Sequence, residues 1–323
     1  MKFLIVDDEH ELYKRMYADI LHKKDSSITE ISNFQDLPLL LNALEKTVFN
    51  RRLNRHMKVP FKKLYDKYYT LSSYNWNPDE KYWVLMLNGT LCAYYSEEYL
   101  RNFKRTHKNV KLAMVLYDCF ANRSAQRAIS MISLFDKVFS FDEEDAAKHG
   151  LQHIYSTFST PDYLKTNAMY QSNAFFIGTG ADREEELNAD LSYIASRIDN
   201  CKFGIVGVEN QKYKGLIEYN KPISYQEEQM YAYNTNCIVE IVKRGQAGIT
   251  LRTCEAIVFN KKLLTNNASI KSLPFYDPRY MSVFETAKDI DIDFIRDNRE
   301  VDYKYDGYFS PRRVIELLAK ERW

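Results

Sequence analysis

Glycine and proline are scarce in this chain, 10 and 8 among 323 residues. A collagen-like repeat or a low-complexity linker protein needs far more of both, so those classes are excluded. Net charge is nearly absent: 45 Lys+Arg face 44 Asp+Glu, formally +1. A protein that coats a phosphate backbone carries a large basic excess, so no nucleic acid is expected as partner. No apolar run approaches the roughly 20 residues of a membrane-spanning helix. The opening Lys2-Phe3-Leu4-Ile5-Val6 is too short for the apolar core of a signal peptide. Five cysteines, Cys92, Cys119, Cys201, Cys237 and Cys254, show no metal-ligand spacing. They read as reduced, buried thiols in a cytoplasmic protein.

Aromatic residues are abundant: 25 Tyr, 18 Phe and 3 Trp, 14% of the chain. Apolar residues reach 45%, enough for a globular core. The length suggests about two domains. Phe3–Val6, Tyr82–Leu87 and Val110–Tyr117 read as buried strands. A helix is expected over Glu11–Leu21, a second over Ser96–His107 with Ser96-Glu97-Glu98 as cap, and a third over Ser124–Leu134. Asn88-Gly89 reads as a turn after the second strand. A short strand over Phe135–Ser140 and a helix over Asp142–His149, closed by Gly150, complete this half.

The alternation restarts at Asn173–Ile177, turned by Gly178-Thr179-Gly180 into a helix that runs to about Ile198. Strands follow at Phe203–Gly207, Cys237–Ile241 and Lys262–Thr265, with helices opening at Ser224 and near Thr253 and a last one from Pro311. Strand-helix alternation of this kind builds doubly wound parallel sheets. The expected fold is α/β with two Rossmann-like doubly wound domains facing a central cleft. Their boundaries are 1–165 and 166–323, with the last helix able to pack back on the first domain.

Several motifs carry chemistry. Asp7-Asp8-Glu9 gives an acidic strand end, but residues 47–52 offer no Asp to complete a phospho-receiver pocket. Gly178-Thr179-Gly180, with Arg183 beyond it, places backbone N–H groups at a helix start, which favours an anion. The richest stretch is Gly245 to Ala256. There a glycine-containing loop with Gln246 and Gly248 enters a helix whose first turn holds Thr250, Leu251, Arg252 and Thr253. Hydroxyls and a guanidinium at a helix start suit a diphosphate. Glu255 can take two hydrogen bonds from a vicinal diol such as ribose; its plainer role is an i, i+3 pair with Arg252. Asp291-Ile292-Asp293 has Asp-x-Asp spacing but reads as an exposed acidic loop.

The Gly245–Ala256 stretch, with its Glu255-Ala256 pair, resembles the donor-binding segment of GT-B glycosyltransferases. Phe135–Ala146, Lys148–Leu151, Ala174–Gly178, Pro222–Tyr225 and Lys261–Asn267 resemble bacterial GT-B proteins of lipopolysaccharide and capsular polysaccharide synthesis. The likeness covers about residues 82–322. It departs at Ala247, where many retaining members carry a first Glu.

The resemblance implies sugar transfer from a nucleotide-diphosphate donor to a saccharide or lipid-linked saccharide acceptor, without a resident metal or other cofactor. Donor contacts would come from Gly178, Thr179, Arg183, Tyr225, Gln246, Gly248, Thr250, Leu251, Arg252, Glu255 and Lys262. A catalytic base would come from Asp118, Asp8 or His10, each at a strand end of the first domain. The basic stretches Arg51–Lys67 and Arg101–Lys111, with interleaved aromatics, suggest peripheral contact with anionic lipid on the inner face of the cell membrane. Two other functions stay open: an epimerase or phosphorylase on the same frame, and a non-catalytic scaffold with a decayed site.

Overall fold

The structure is a computed structural model that describes residues 1–323 except 8, 22–24, 51–52, 55–58, 123–124, 181–182 and 244–247. The side chains of residues 88, 89 and 92 are also outside the description. Asp8 and Gln246 therefore lie outside the described residues. The chain divides into two compact units, one formed by Met1–Ser159 with Phe309–Trp323, the other by Thr160–Tyr308.

The first unit contains β1 (Lys2–Val6), β2 (Ile28–Ile31), β3 (Tyr82–Leu87), β4 (Val110–Leu116), β5 (Lys137–Ser140) and β6 (Gln152–His153). They pair in the order β2-β1-β3-β4-β5-β6, all parallel. β3 is buried along its whole length, as a central parallel strand covered on both faces must be. The aromatic excess has its place in this unit. Phe34 stacks on Tyr69 at 4.9 Å, Phe49 meets Tyr65 edge-on at 4.8 Å, and Tyr69 stacks on Tyr95 at 4.6 Å. Two of the hydroxyls are anchored on backbone, Tyr65 donating to Leu41 O at 2.9 Å and Tyr69 to Tyr94 O at 2.6 Å, while that of Tyr95 is buried without a partner among the described residues. Such pairs add about 0.5–1.5 kcal/mol each beyond area burial.

The second unit contains β7 (Ser172–Thr179), β8 (Cys201–Val206), β9 (Glu218–Tyr219), β10 (Thr235–Glu240), β11 (Lys262–Thr265) and β12 (Met281–Val283). Their order is β12-β11-β10-β7-β8-β9, again all parallel. The chain leaves β7 toward β8 and β9, then returns to build β10, β11 and β12 on the other side. The switch point lies between β7 and β10. The corresponding point in the first sheet lies between β1 and β3. Both units are thus Rossmann-like doubly wound sheets, as the alternation implied.

Several local expectations are corrected. Asn88–Ala93 is a helix that starts directly from β3 rather than a turn. In place of one helix, residues 125–134 hold two short pieces, Gln126–Ile129 and a 3-10 turn Ile132–Leu134. The first helix breaks at Tyr17 into Glu11–Met16 and Ala18–Leu21. Asp291 is not in a free loop: its Oδ1 accepts from Phe294 N at 3.0 Å and caps the helix Ile292–Arg296.

Candidate functional site

In open α/β sheets, ligands bind outside the carboxyl ends of the strands at the switch point. In the second unit that place is formed by the ends of β7 and β10. Two arginines are fixed there. Arg183 donates through Nε to Thr179 O at 3.3 Å and through Nη1 to Ile241 O, so it ties the two strand ends together. Arg252 donates through Nη2 to Ile177 O and pairs with Glu228 Oε1 at 2.5 Å. Its guanidinium lies over the rings of Phe176 and Phe175, 5.3 and 5.7 Å from their centroids. Arg252 Nη1 is buried and has no hydrogen-bond partner among the described residues. A buried charged donor in that state is costly unless something accepts from it.

The helix Leu251–Val258 starts at this edge. Thr250 is its N-cap and accepts from Arg252 N at 3.1 Å. Thr250 in turn donates to Glu240, the last residue of β10. Glu240 is buried and is satisfied entirely by hydroxyls: Thr253 Oγ1 reaches Oε1 at 2.8 Å and Thr265 Oγ1 reaches Oε2 at 2.6 Å. One carboxylate thereby holds β11 and the helix start to the end of β10. Gly248 is buried before the cap, and its carbonyl accepts from Asn267 Nδ2 at 3.2 Å. Leu251 is half-buried in the first turn.

Glu255 sits one turn inward, 1% exposed. Burial pushes its carboxyl up to about 8; the Glu228 charge adds to that and Arg252 opposes it. The expected Glu255–Arg252 pair is replaced by Arg252–Glu228, which reaches across from the helix Tyr225–Asn234. Tyr225 opens that helix, and its phenol is raised by burial and then by the Glu255 and Glu228 charges. Glu227 N caps on Ser224 Oγ at 3.1 Å, as the Ser224 signal suggested.

Gly178, Thr179, Arg183, Tyr225, Gly248, Thr250, Leu251, Arg252 and Glu255 therefore gather at one edge. Lys262 does not join them. It begins β11, so it lies at the amino edge of a parallel sheet, and its ammonium is spent on Phe294 O at 2.6 Å, Ile295 O at 2.9 Å and Asp297 O. Sequence reading missed Glu228 and Glu240. Glu240 had a visible signal, a single charge closing the apolar run Cys237–Val239. A cavity of about 970 Å³ adjoins Arg183, with Lys243 and Lys288 on its wall. Among the described residues three cations there face five carboxylates, so its body does not suit an anion.

In the first unit, His10 is exposed and caps the helix Glu11–Met16, its Nδ1 accepting from Leu12 N at 3.3 Å. Asp118 is half-buried beyond β4 and accepts from Asn122 Nδ2 at 3.4 Å. β3 lies between the strands that carry His10 and Asp118. Among the described residues one group could hold a metal: ligand atoms of Cys119, Asp142 and Asp145 lie within 4.8 Å of one another. Those carboxylates already act as caps, Asp142 Oδ1 accepting from Asp145 N at 2.9 Å and Asp145 Oδ2 from Phe120 N at 2.7 Å. Burial and its acidic neighbours push the Cys119 thiol up to about 12. No helix among the described residues is long and apolar enough to cross a membrane.

No family model and no curated protein matches the sequence. Solved structures do match over the whole chain. A trehalose-6-phosphate synthase, OtsA, shares 11% identity at a TM-score of 0.54, covering 100% of both chains. Anabaena HepE in complex with UDP-glucose shares 9% identity at 0.52, covering 99% of this chain and 100% of its own. The Methanocaldococcus jannaschii UDP-GlcNAc 2-epimerase, in complex with UDP-GlcNAc and UDP, shares 12% at 0.50, covering 99% and 100%. At such identities the likeness establishes the fold. That fold is the GT-B type, two Rossmann-like domains in one chain.

Proposed function

We propose that this protein is a glycosyltransferase that takes a sugar from a nucleotide-diphosphate donor, uridine being the first base to test. The observation that carries this reading is Arg252 Nη1, a buried guanidinium donor without a partner among the described residues at the β7/β10 switch point. The helix N-terminus beside it and Arg183 add N–H donors and positive charge where a diphosphate leaving group develops its negative charge. No resident metal is needed for that role. The acceptor hydroxyl attacks the anomeric carbon, the bond from that carbon to the diphosphate breaks, and a base takes the hydroxyl proton. Asp118, Asp8 and His10 are the proposed bases. Glu255 is proposed to hold the ribose hydroxyls.

The acceptor is proposed to be a saccharide, lipid-linked, in surface polysaccharide synthesis. Exposed Leu39, Leu40, Leu44, Phe61 and Leu64 in the first unit, near a basic stretch of sequence, support peripheral contact with anionic lipid on the inner membrane face.

Thermal-shift titration with UDP and UDP-sugars tests the donor site. Stabilisation that Arg252→Ala and Arg183→Ala both weaken about tenfold or more is the expected result. No shift with any nucleotide would remove the proposal. A second reading, epimerisation of the donor, is favoured by the shared fold with the Methanocaldococcus epimerase. It predicts isomerised nucleotide sugar in the absence of acceptor, seen by NMR. A non-catalytic scaffold finds support in Arg252 Nη2, which is already bound to Ile177 O and Glu228. Measured turnover would exclude it.

A further inference from the structure

The first unit holds a cavity of about 370 Å³ that the donor site does not use. This lies within the range of about 300–1,000 Å³ typical of small-ligand sites. Glu9, Ser32, Asn33, Phe34, Asn42 and Glu45 are on its wall. It opens at the carboxyl ends of the neighbouring strands β1 and β2 of the first sheet.

Three features make it a built site. Glu9 has φ +60, a left-handed conformation that a glutamate adopts only when its surroundings hold it there. Tyr94 OH donates to its Oε2 at 2.5 Å and Asn33 Nδ2 to its Oε1 at 3.1 Å. Asn33 is 1% exposed, and its Nδ2 also donates to Asp7 O at 2.9 Å. Both of those partners are acceptors, so the orientation of the amide is fixed. Asn33 Oδ1 is left buried with nothing among the described residues donating to it. The carboxylate of Glu45, half-buried on the helix Leu39–Val48, makes no hydrogen bond among the described residues. Burial and the Glu9 charge raise its carboxyl.

Among the described residues the wall is rich in acceptors and has no cation. Anions are repelled. What complements it is a compact body that presents several hydroxyl donors and one apolar face, the latter against Phe34. We propose that this cavity binds a hydroxyl-rich sugar ring, with Asn33 Oδ1 and Glu45 accepting from adjacent hydroxyls. Its role as the acceptor subsite rests on the transferase reading above.

The test is saturation-transfer-difference NMR on the full chain with free hexoses, N-acetylhexosamines and disaccharides, beside a UDP thermal shift on the same samples. Wild type is expected to receive transfer from one sugar class. Glu45→Leu and Asn42→Leu should each weaken that binding at least tenfold and leave the UDP shift unchanged. Glu45→Gln, which keeps an acceptor, should restore most of it. Folding of each variant is checked by circular dichroism. No sugar whose signal these substitutions remove, or displacement of the sugar by millimolar Mg²⁺ or Mn²⁺, overturns the inference. UDP binding without sugar binding overturns it alone. Sugar binding without any nucleotide binding leaves it standing and overturns the transferase reading.

Discussion

Glu255 keeps its proton to about pH 8 in the folded chain, whereas its ordinary value is 4.5. Between those two values the folded state holds more protons than the unfolded state. Stability therefore falls as pH rises through that window and levels off above about 8. Glu255→Gln removes this dependence. The variant should melt several degrees above wild type at pH 8.5, with the gap closing by about pH 5, in calorimetric scans at both pH values. Gly180 makes a different demand. A Cβ at that position would meet Val208 Cγ1 at 2.0 Å and Ile205 Cγ2 at 3.1 Å, so the end of β7 passes too close to its neighbours for any side chain. Gly180→Ala should cost about 1–3 kcal/mol, the usual range for overpacking a core. Urea unfolding followed by far-UV circular dichroism measures it.

At the scale of elements, the helix Leu39–Val48 is unusual because Leu39 and Leu40 are 89% and 72% exposed. Sedimentation with phosphatidylglycerol vesicles should carry the protein down, and vesicles of phosphatidylcholine should carry much less. Leu40→Ser with Leu44→Ser should reduce the bound fraction several-fold without changing the melting temperature by more than a few degrees.

Elements differ in how far they were legible beforehand. β3 is a continuous apolar run, and β4, β10 and β11 declared themselves by the shorter runs Leu112–Leu116, Cys237–Val239 and Leu263-Leu264. β2 (Ile-Thr-Glu-Ile), three-residue β12 and two-residue β6 and β9 did not, because short edge strands carry little periodicity. The site was legible where it is local. The loop, cap and first turn around Thr250 and Arg252 follow one another in the chain. Glu228 comes from another helix and Glu240 from a strand end, and only the order of the strands joins them to Arg252.

For the whole molecule, all three tryptophans, Trp76, Trp83 and Trp323, belong to the first unit. Tryptophan fluorescence, excited selectively over tyrosine, therefore follows that unit and is silent on the other. The returning segment Phe309–Trp323 is bound firmly to the first unit. Trp323 meets Trp83 edge-on at 6.0 Å, Lys137 pairs with Glu321 at 2.5 Å, and Val314 and Leu318 are buried. Deleting residues 309–323 should shift the tryptophan emission to the red and lower the midpoint of the fluorescence-detected transition. The part of the circular-dichroism transition due to the second unit should also move down, by less, because the insert is no longer closed into a loop by the first unit.

That return of the chain has a thermodynamic consequence. Phe158 N donates to Phe309 O at 2.7 Å, so the strands of chain that enter and leave the second unit start side by side. The second unit is an insert between two pieces of the first. While it is folded, it holds those pieces at short range. Once it unfolds, they are joined by a slack loop of roughly 150 residues, and closing such a loop costs on the order of 4–5 kcal/mol. Anything that stabilises the insert, a bound nucleotide included, then also protects the first unit from unfolding, through chain connectivity alone.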